Sequence, residues 1–111
     1  MSLSTHVLDT AGGQPAIGVD VLCEAVRDGA WTEVARGTTH ADGRIATLLA
    51  RPSMTAGPHR LVFDTGSWFA GQGQATFWLD IVVAFEVADP AEHHHVPLLL
   101  SPYGYSTYRG S

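Results

Sequence analysis

Two histidines, two arginines and an aromatic C-terminal segment are the side chains of this 111-residue chain best equipped for chemistry. His6 stands in Ser4-Thr-His-Val-Leu-Asp-Thr10, and His95 opens His95-Val-Pro-Leu-Leu-Leu-Ser101. Imidazole takes up and returns a proton near neutral pH, so two of them on the apolar faces of two strands are candidates for acid–base work. Arg44 follows the turn residues Asp42-Gly43. Its planar guanidinium matches a carboxylate, an imide or a developing oxyanion with two parallel hydrogen bonds. The final stretch, Leu100-Ser-Pro-Tyr-Gly-Tyr-Ser-Thr-Tyr-Arg-Gly-Ser111, adds a second guanidinium at Arg109, three tyrosines and several hydroxyls. Chain ends normally fray, but three aromatic rings carry too much apolar area to leave in water. This end is therefore expected to be packed and to form part of a site. Taken singly, each of these residues has an ordinary explanation as a solvated or edge side chain, and only the set points to chemistry.

Several other chemistries are disfavoured. His93-His94-His95 invites a metal, but neighbours on a strand point to opposite faces, so only His93 and His95 can share one. Two imidazoles fall short of the three or four ligands zinc takes. Cys23 is the single cysteine, so no internal disulfide forms; in a buried strand it is a small hydrophobe rather than a reactive thiol. No serine sits in a strand-to-helix elbow, and no glycine loop is built to cradle phosphate. The formal charge is −5, lysine is absent and the six arginines are scattered, which argues against nucleic acid as a partner. No apolar run reaches the length of a membrane span. The start of the chain lacks the charged and apolar regions of a secretory leader, so a cytoplasmic location is expected.

The elements that must position these residues repeat with a period of two. Ile81, Val83, Phe85 and Val87 fall on one face of a strand, and Val82, Ala84, Glu86 and Ala88 on the other. Val19, Val21 and Cys23 alternate with Asp20, Leu22 and Glu24 in the same way, and 31–35 and 59–63 are further short strands. Turns at 11–15, 27–29, 41–43, 56–58 and 88–90 separate them. Strands at this spacing predict an antiparallel sandwich or barrel in one domain covering residues 1–111. Only 65–71 lacks alternation, and there Ser67 could cap one short helical turn. In 95–101, Val96, Leu98 and Leu100 face one way and His95, Pro97 and Leu99 the other. That second face is too apolar for open solvent, so a covering subunit is expected, and Pro97 is expected to be uncomfortable in the middle of a sheet.

Thr5-His-Val-Leu-Asp9, Asp42-Gly-Arg44 and the whole stretch from His95 to Ser111 resemble the 5-hydroxyisourate hydrolase family, transthyretin-related enzymes of purine breakdown. The likeness runs in order over essentially the entire chain. Transthyretin shares the Leu-Ser-Pro-Tyr core but lacks the Tyr-Arg-Gly-Ser ending and the two matching histidines. The resemblance implies an all-β fold, a Greek-key sandwich of about eight strands with one short helix. It implies a homotetramer, a dimer of dimers, with sites in the channel between dimers. It further implies hydrolysis of 5-hydroxyisourate to 2-oxo-4-hydroxy-4-carboxy-5-ureidoimidazoline, with His6, Arg44 and His95 catalytic and Tyr108, Arg109, Gly110 and Ser111 binding substrate. No metal and no organic cofactor is implied. A non-enzymatic small-ligand binder of the transthyretin kind is the alternative. The chain departs from the family pattern at His94, where tyrosine is usual, and at Phe77-Trp-Leu79, where an aromatic-Tyr-Pro sequence is common.

Overall fold

The structure, a computed structural model, describes residues 2–111. Nine strands form two sheets: β1 Leu3–Asp9, β2 Gln14–Pro15, β3 Asp20–Arg27, β4 Ala30–Thr38, β5 Arg44–Leu49, β6 Gly57–Phe63, β7 Ile81–Val87, β8 His94–Ser101 and β9 Gly104–Thr107. One sheet runs β2-β1-β8-β9 with β5 also paired to β1, and the other runs β4-β3-β6-β7. The ninth strand beyond the eight expected is the two-residue β2. A two-residue turn at Asp28-Gly29, both at positive φ, joins β3 to β4; its handedness matches the twist of the flanking strands.

The alternation carries through to burial. Val21, Cys23, Leu61, Phe63, Ile81 and Val87 of one sheet meet Leu3, Val7, Leu98 and Leu100 of the other in a single core. Burial pushes the Cys23 thiol up to about 12, which keeps it protonated and unreactive. The helix α1, Thr65–Gly71, is the only α-helix among the described residues, and Phe69 packs it onto the core. Its N-cap is Asp64 rather than Ser67: the Asp64 carboxylate accepts from the Ser67 N–H at 3.4 Å. The helix thus starts three residues earlier than the capping serine implied, because a carboxylate caps a first turn at least as well as a hydroxyl. No helix among the described residues is long and apolar enough to cross a membrane.

The pairing that matters most for the site is not antiparallel. β1 runs parallel to β8 over its full length, from Leu3 opposite His94 to Asp9 opposite Leu100. The buried Thr5 hydroxyl ties this pair by donating to the Val96 carbonyl at 2.6 Å. Pro97 consequently lies in the interior of the sheet, with β1 on one side and β9 on the other, against the edge position that proline prefers. The β8–β9 ladder accommodates it by lapsing. It is continuous from Leu98–Thr107 to Ser101–Gly104, breaks beside Tyr108 and Arg109, and resumes where Gly110 N–H donates to the His95 carbonyl at 2.8 Å. Within that gap the Thr107 hydroxyl donates to the Pro97 carbonyl at 2.7 Å. The missing proline N–H therefore falls where the tail leaves the sheet.

Candidate active site

β1, β5 and β8 lie side by side, and their outward side chains make one surface. Register sets Ser4 beside His95 and His6 beside Pro97 on one flank of β1, with His6 opposite Arg44 on the other. The β1–β5 register slips between Leu3 and Thr5, a bulge of the kind that re-aims side chains near functional sites.

Arg44 reaches this surface through a turn that only glycine permits. Gly43 has φ +77°, and a Cβ there would stand 2.5 Å from the Val7 carbonyl oxygen. That close approach lets Val7 N–H donate to the Gly43 carbonyl at 2.8 Å, pinning the turn to β1. The Asp42 carboxylate then accepts from the Arg44 N–H at 3.0 Å, closing an Asx turn as β5 begins. The Arg44 guanidinium stands 4.0 Å from the Asp42 carboxylate and is half exposed, so it is free to meet an anion. The Asp42 carbonyl also lies 2.9 Å from His6 Nε2. A carbonyl only accepts, so Nε2 carries the proton and the lone pair of neutral His6 is on Nδ1.

His95 stands among three further groups. Its Nδ1 is 2.7 Å from the Ser4 hydroxyl, and the same hydroxyl is 3.0 Å from His93 Nε2. The two imidazoles are nearly parallel, 15° apart, with centroids 6.5 Å from each other. Gly110 lies close against the His95 ring: an added Cβ would overlap Cδ2 and come within 3.2 Å of Cγ. Burial pushes the His95 pKa below the ordinary histidine value, and the charges of Arg44, His93 and His6 push the same way, opposed only by a hydrogen bond to the Ser4 backbone. These influences together favour the neutral form of His95.

A cavity of about 210 Å³ opens over these residues, walled by Ser4, Thr5, Arg44, Ala46, His93, His95 and Ser111. His6 is outside its wall, two residues along the same face of β1 from Ser4. Tyr108 and Arg109 lie elsewhere. They line a separate cavity of about 200 Å³, with Val83, Phe85 and Glu86 of β7, on the flank of His95 where the two sheets part. There Arg109 pairs with Glu92 at 3.4 Å. A larger depression of about 410 Å³ lies on the opposite sheet, lined by Asp20, Arg36, Asp64 and Asp80. Its lining contains no imidazole. Of the residues read from the sequence, the fold gathers Arg44, His95, Gly110 and Ser111, with His6 adjacent, and separates Tyr108 and Arg109. Ser4 is a participant the sequence did not reveal, because only the parallel β1–β8 register places it between two histidines.

Two sheets of this order, closed by one short helix, define a transthyretin-like class of protein. The chain belongs to the HIUase/Transthyretin family, whose model matches residues 3–110. It is 47% identical over 109 residues to a 5-hydroxyisourate hydrolase of Salmonella dublin, covering 98% of this chain and 80% of that protein. Among solved structures it resembles the 5-hydroxyisourate hydrolase of Klebsiella pneumoniae, with TM-score 0.86 and 41% identity over the whole of both chains. Sea bream transthyretin in complex with thyroxine superposes with TM-score 0.92 at 34% identity, covering 99% of this chain and 95% of that one. The backbone is thus common to hydrolase and carrier, and side chains must separate them.

Proposed function

We propose that the chain hydrolyses 5-hydroxyisourate, opening its six-membered ring to 2-oxo-4-hydroxy-4-carboxy-5-ureidoimidazoline. The observation that carries this is the meeting of Arg44 and His95 in one cavity, with His6 beside it, in a chain whose relatives are named for that reaction. The His6–His95 pair orients a water, and one of the two imidazoles takes its proton. The water oxygen bonds to the ring carbonyl carbon, the carbon–nitrogen bond breaks, and the proton passes to the departing nitrogen. Arg44 holds the substrate and neutralises the oxyanion that develops on the carbonyl. Proton transfer of this kind contributes about 10²–10⁴-fold, and a well-placed oxyanion partner about 10²–10³-fold.

Tyr108, Arg109, Gly110 and Ser111 close the pocket, Gly110 and Ser111 from within the chain and Tyr108 and Arg109 through assembly. The assembly is a homotetramer, a dimer of dimers whose channel covers the His6–His95 face. Half-buried Leu8 and Leu99 continue that face toward the β8–β9 turn, where Tyr103 is 70% exposed. Surface of this kind gains from burial against a second copy. A free buried thiol at Cys23 suits the reducing cytoplasm.

5-Hydroxyisourate generated from urate by urate oxidase, and followed by its ultraviolet absorbance, tests the activity. Decay well above the spontaneous rate, abolished by His6→Ala, is expected. Unchanged decay with folded protein would leave a binder. The superposition on thyroxine-bound transthyretin favours that second reading, and small aromatic ligands would then be screened.

A further inference from the structure

We propose that the Ser4 hydroxyl, bridged to His93, holds His95 as its Nε2–H tautomer, so that His95 donates a hydrogen bond to the oxyanion while His6 alone moves the proton. The role rests on the hydrolase function; the tautomer does not.

A hydroxyl carries one hydrogen and two lone pairs. If both imidazoles donated to it, its own hydrogen would have no acceptor, since His93 and His95 are the partners of Ser4 Oγ. The chain His93–Ser4–His95 therefore has two polarities in the neutral state. In the first, His95 Nδ1–H donates to Ser4 and Ser4 donates to His93 Nε2. His93 must then carry its proton on Nδ1. That atom is buried and has no hydrogen-bond partner, and an orphaned buried N–H is among the rarest and costliest features of a folded protein. In the second polarity, His93 Nε2–H donates to Ser4 and the Ser4 hydroxyl donates to His95 Nδ1. Only a bare lone pair is then left at His93 Nδ1, a lesser penalty. The geometry selects the second, and it places the His95 proton on Nε2.

The protein fixes this arrangement from several directions. Ser4 is 7% exposed and sits beside His95 through the parallel register. Gly110 packs the opposite flank of the His95 ring. Protonating His95 would reverse the chain, and Arg44, His6 and His93 all disfavour that charge. A neutral imidazole N–H is a competent electrophile toward a carbonyl oxygen. It cannot reasonably surrender its proton, since an imidazolate would result. The moving proton therefore belongs to His6, whose Nδ1 lone pair is set by the bond from Nε2–H to Asp42. His6 takes the proton from water as the carbon–oxygen bond forms and returns it to the ring nitrogen as the carbon–nitrogen bond breaks.

Two-bond ¹H–¹⁵N correlation spectra of the wild-type protein at neutral pH report the tautomer without substrate. A protonated Nε2 and an unprotonated Nδ1 on His95 are expected; the reverse assignment overturns the proposal. Ser4→Ala, checked for fold and assembly, is expected to give His95 as a mixture of tautomers. Its kcat should fall on the order of tenfold to a hundredfold, the usual effect of losing an orienting partner, with KM little changed. Ser4→Thr, which keeps the hydroxyl, should recover both the spectrum and the rate. A folded Ser4→Ala protein with an unaltered His95 spectrum and rate would refute the coupling. The expected tautomer in a wild-type protein without hydrolase activity would overturn the role alone.

Discussion

Replacing Gly110 by alanine perturbs the site through a single methyl group. Gly110 lies on the His95 ring, and an ideal Cβ there would overlap Cδ2 and approach Cγ to 3.2 Å and Cβ to 3.4 Å. Ordinary carbon–carbon contact is about 3.5–4.0 Å, so either the imidazole or the tail must move by roughly 1 Å. The tail is anchored by the Gly110 N–H bond to the His95 carbonyl, whereas the ring is held by one hydroxyl. The ring is therefore the part that yields. A misplacement of about 1 Å at a reacting group costs on the order of 10²-fold, or about 3 kcal/mol of transition-state stabilisation at 1.4 kcal/mol per decade. Gly110 is outside the core, so thermal stability should change little. Initial rates of 5-hydroxyisourate decay, alongside a melting curve, separate the two effects. A Gly110→Ala protein with a rate within about threefold of wild type would refute the contact, because the implied displacement would then cost less than 0.7 kcal/mol.

Two other perturbations probe how the catalytic groups are set. The His95 imidazole should titrate below its ordinary value, near 6.5, and Arg44→Gln should move it upward by removing one of the opposing charges; NMR titration checks both. Because folding favours neutral His95, its contribution to stability is complete above the unfolded-state pKa and is lost as pH falls toward the lower folded-state pKa. Gly43→Ala should destabilise the fold by about 1–3 kcal/mol in chemical denaturation, since it forces a side chain onto a left-handed backbone against the Val7 carbonyl. The same variant should lose activity in excess of its lost stability, because the turn carries Arg44.

The fold was legible wherever burial follows the strand period. Val21, Cys23, Ile81, Val87, Leu98 and Leu100 all lie in the core as the alternation requires, and His6 and His95 emerge on the opposite face. Pairing was not legible. Period-two patterning fixes which way a side chain points but not which strand is its neighbour, so the parallel β1–β8 ladder had no local signature. Ser4 stayed hidden for that reason, as did the interior position of Pro97. The tail was partly legible: its aromatic content required packing, but nothing local distinguished Gly110, which lies on His95, from Arg109, which turns to Glu92. The cap of α1 shifted from Ser67 to Asp64 because two capping residues three positions apart compete and only the observed backbone decides between them.

The β1–β8 ladder also has a consequence in time. Ser4 and His95 are separated by 91 residues, and at about 5–20 residues per second of synthesis the first strand waits roughly 5–20 s for its permanent neighbour. During that interval β1 can pair only with β2 and β5, leaving one edge open along its length, the state in which strands recruit foreign edges. The residues it exposes meanwhile include Ser4 and His6, polar positions that weaken such recruitment. The histidines and hydroxyl that later form the site would thus guard the nascent chain before they do any chemistry. The order of emergence also makes hydrolysis a late property of the polypeptide, since the ring of His95 is seated only after Gly110 has left the ribosome.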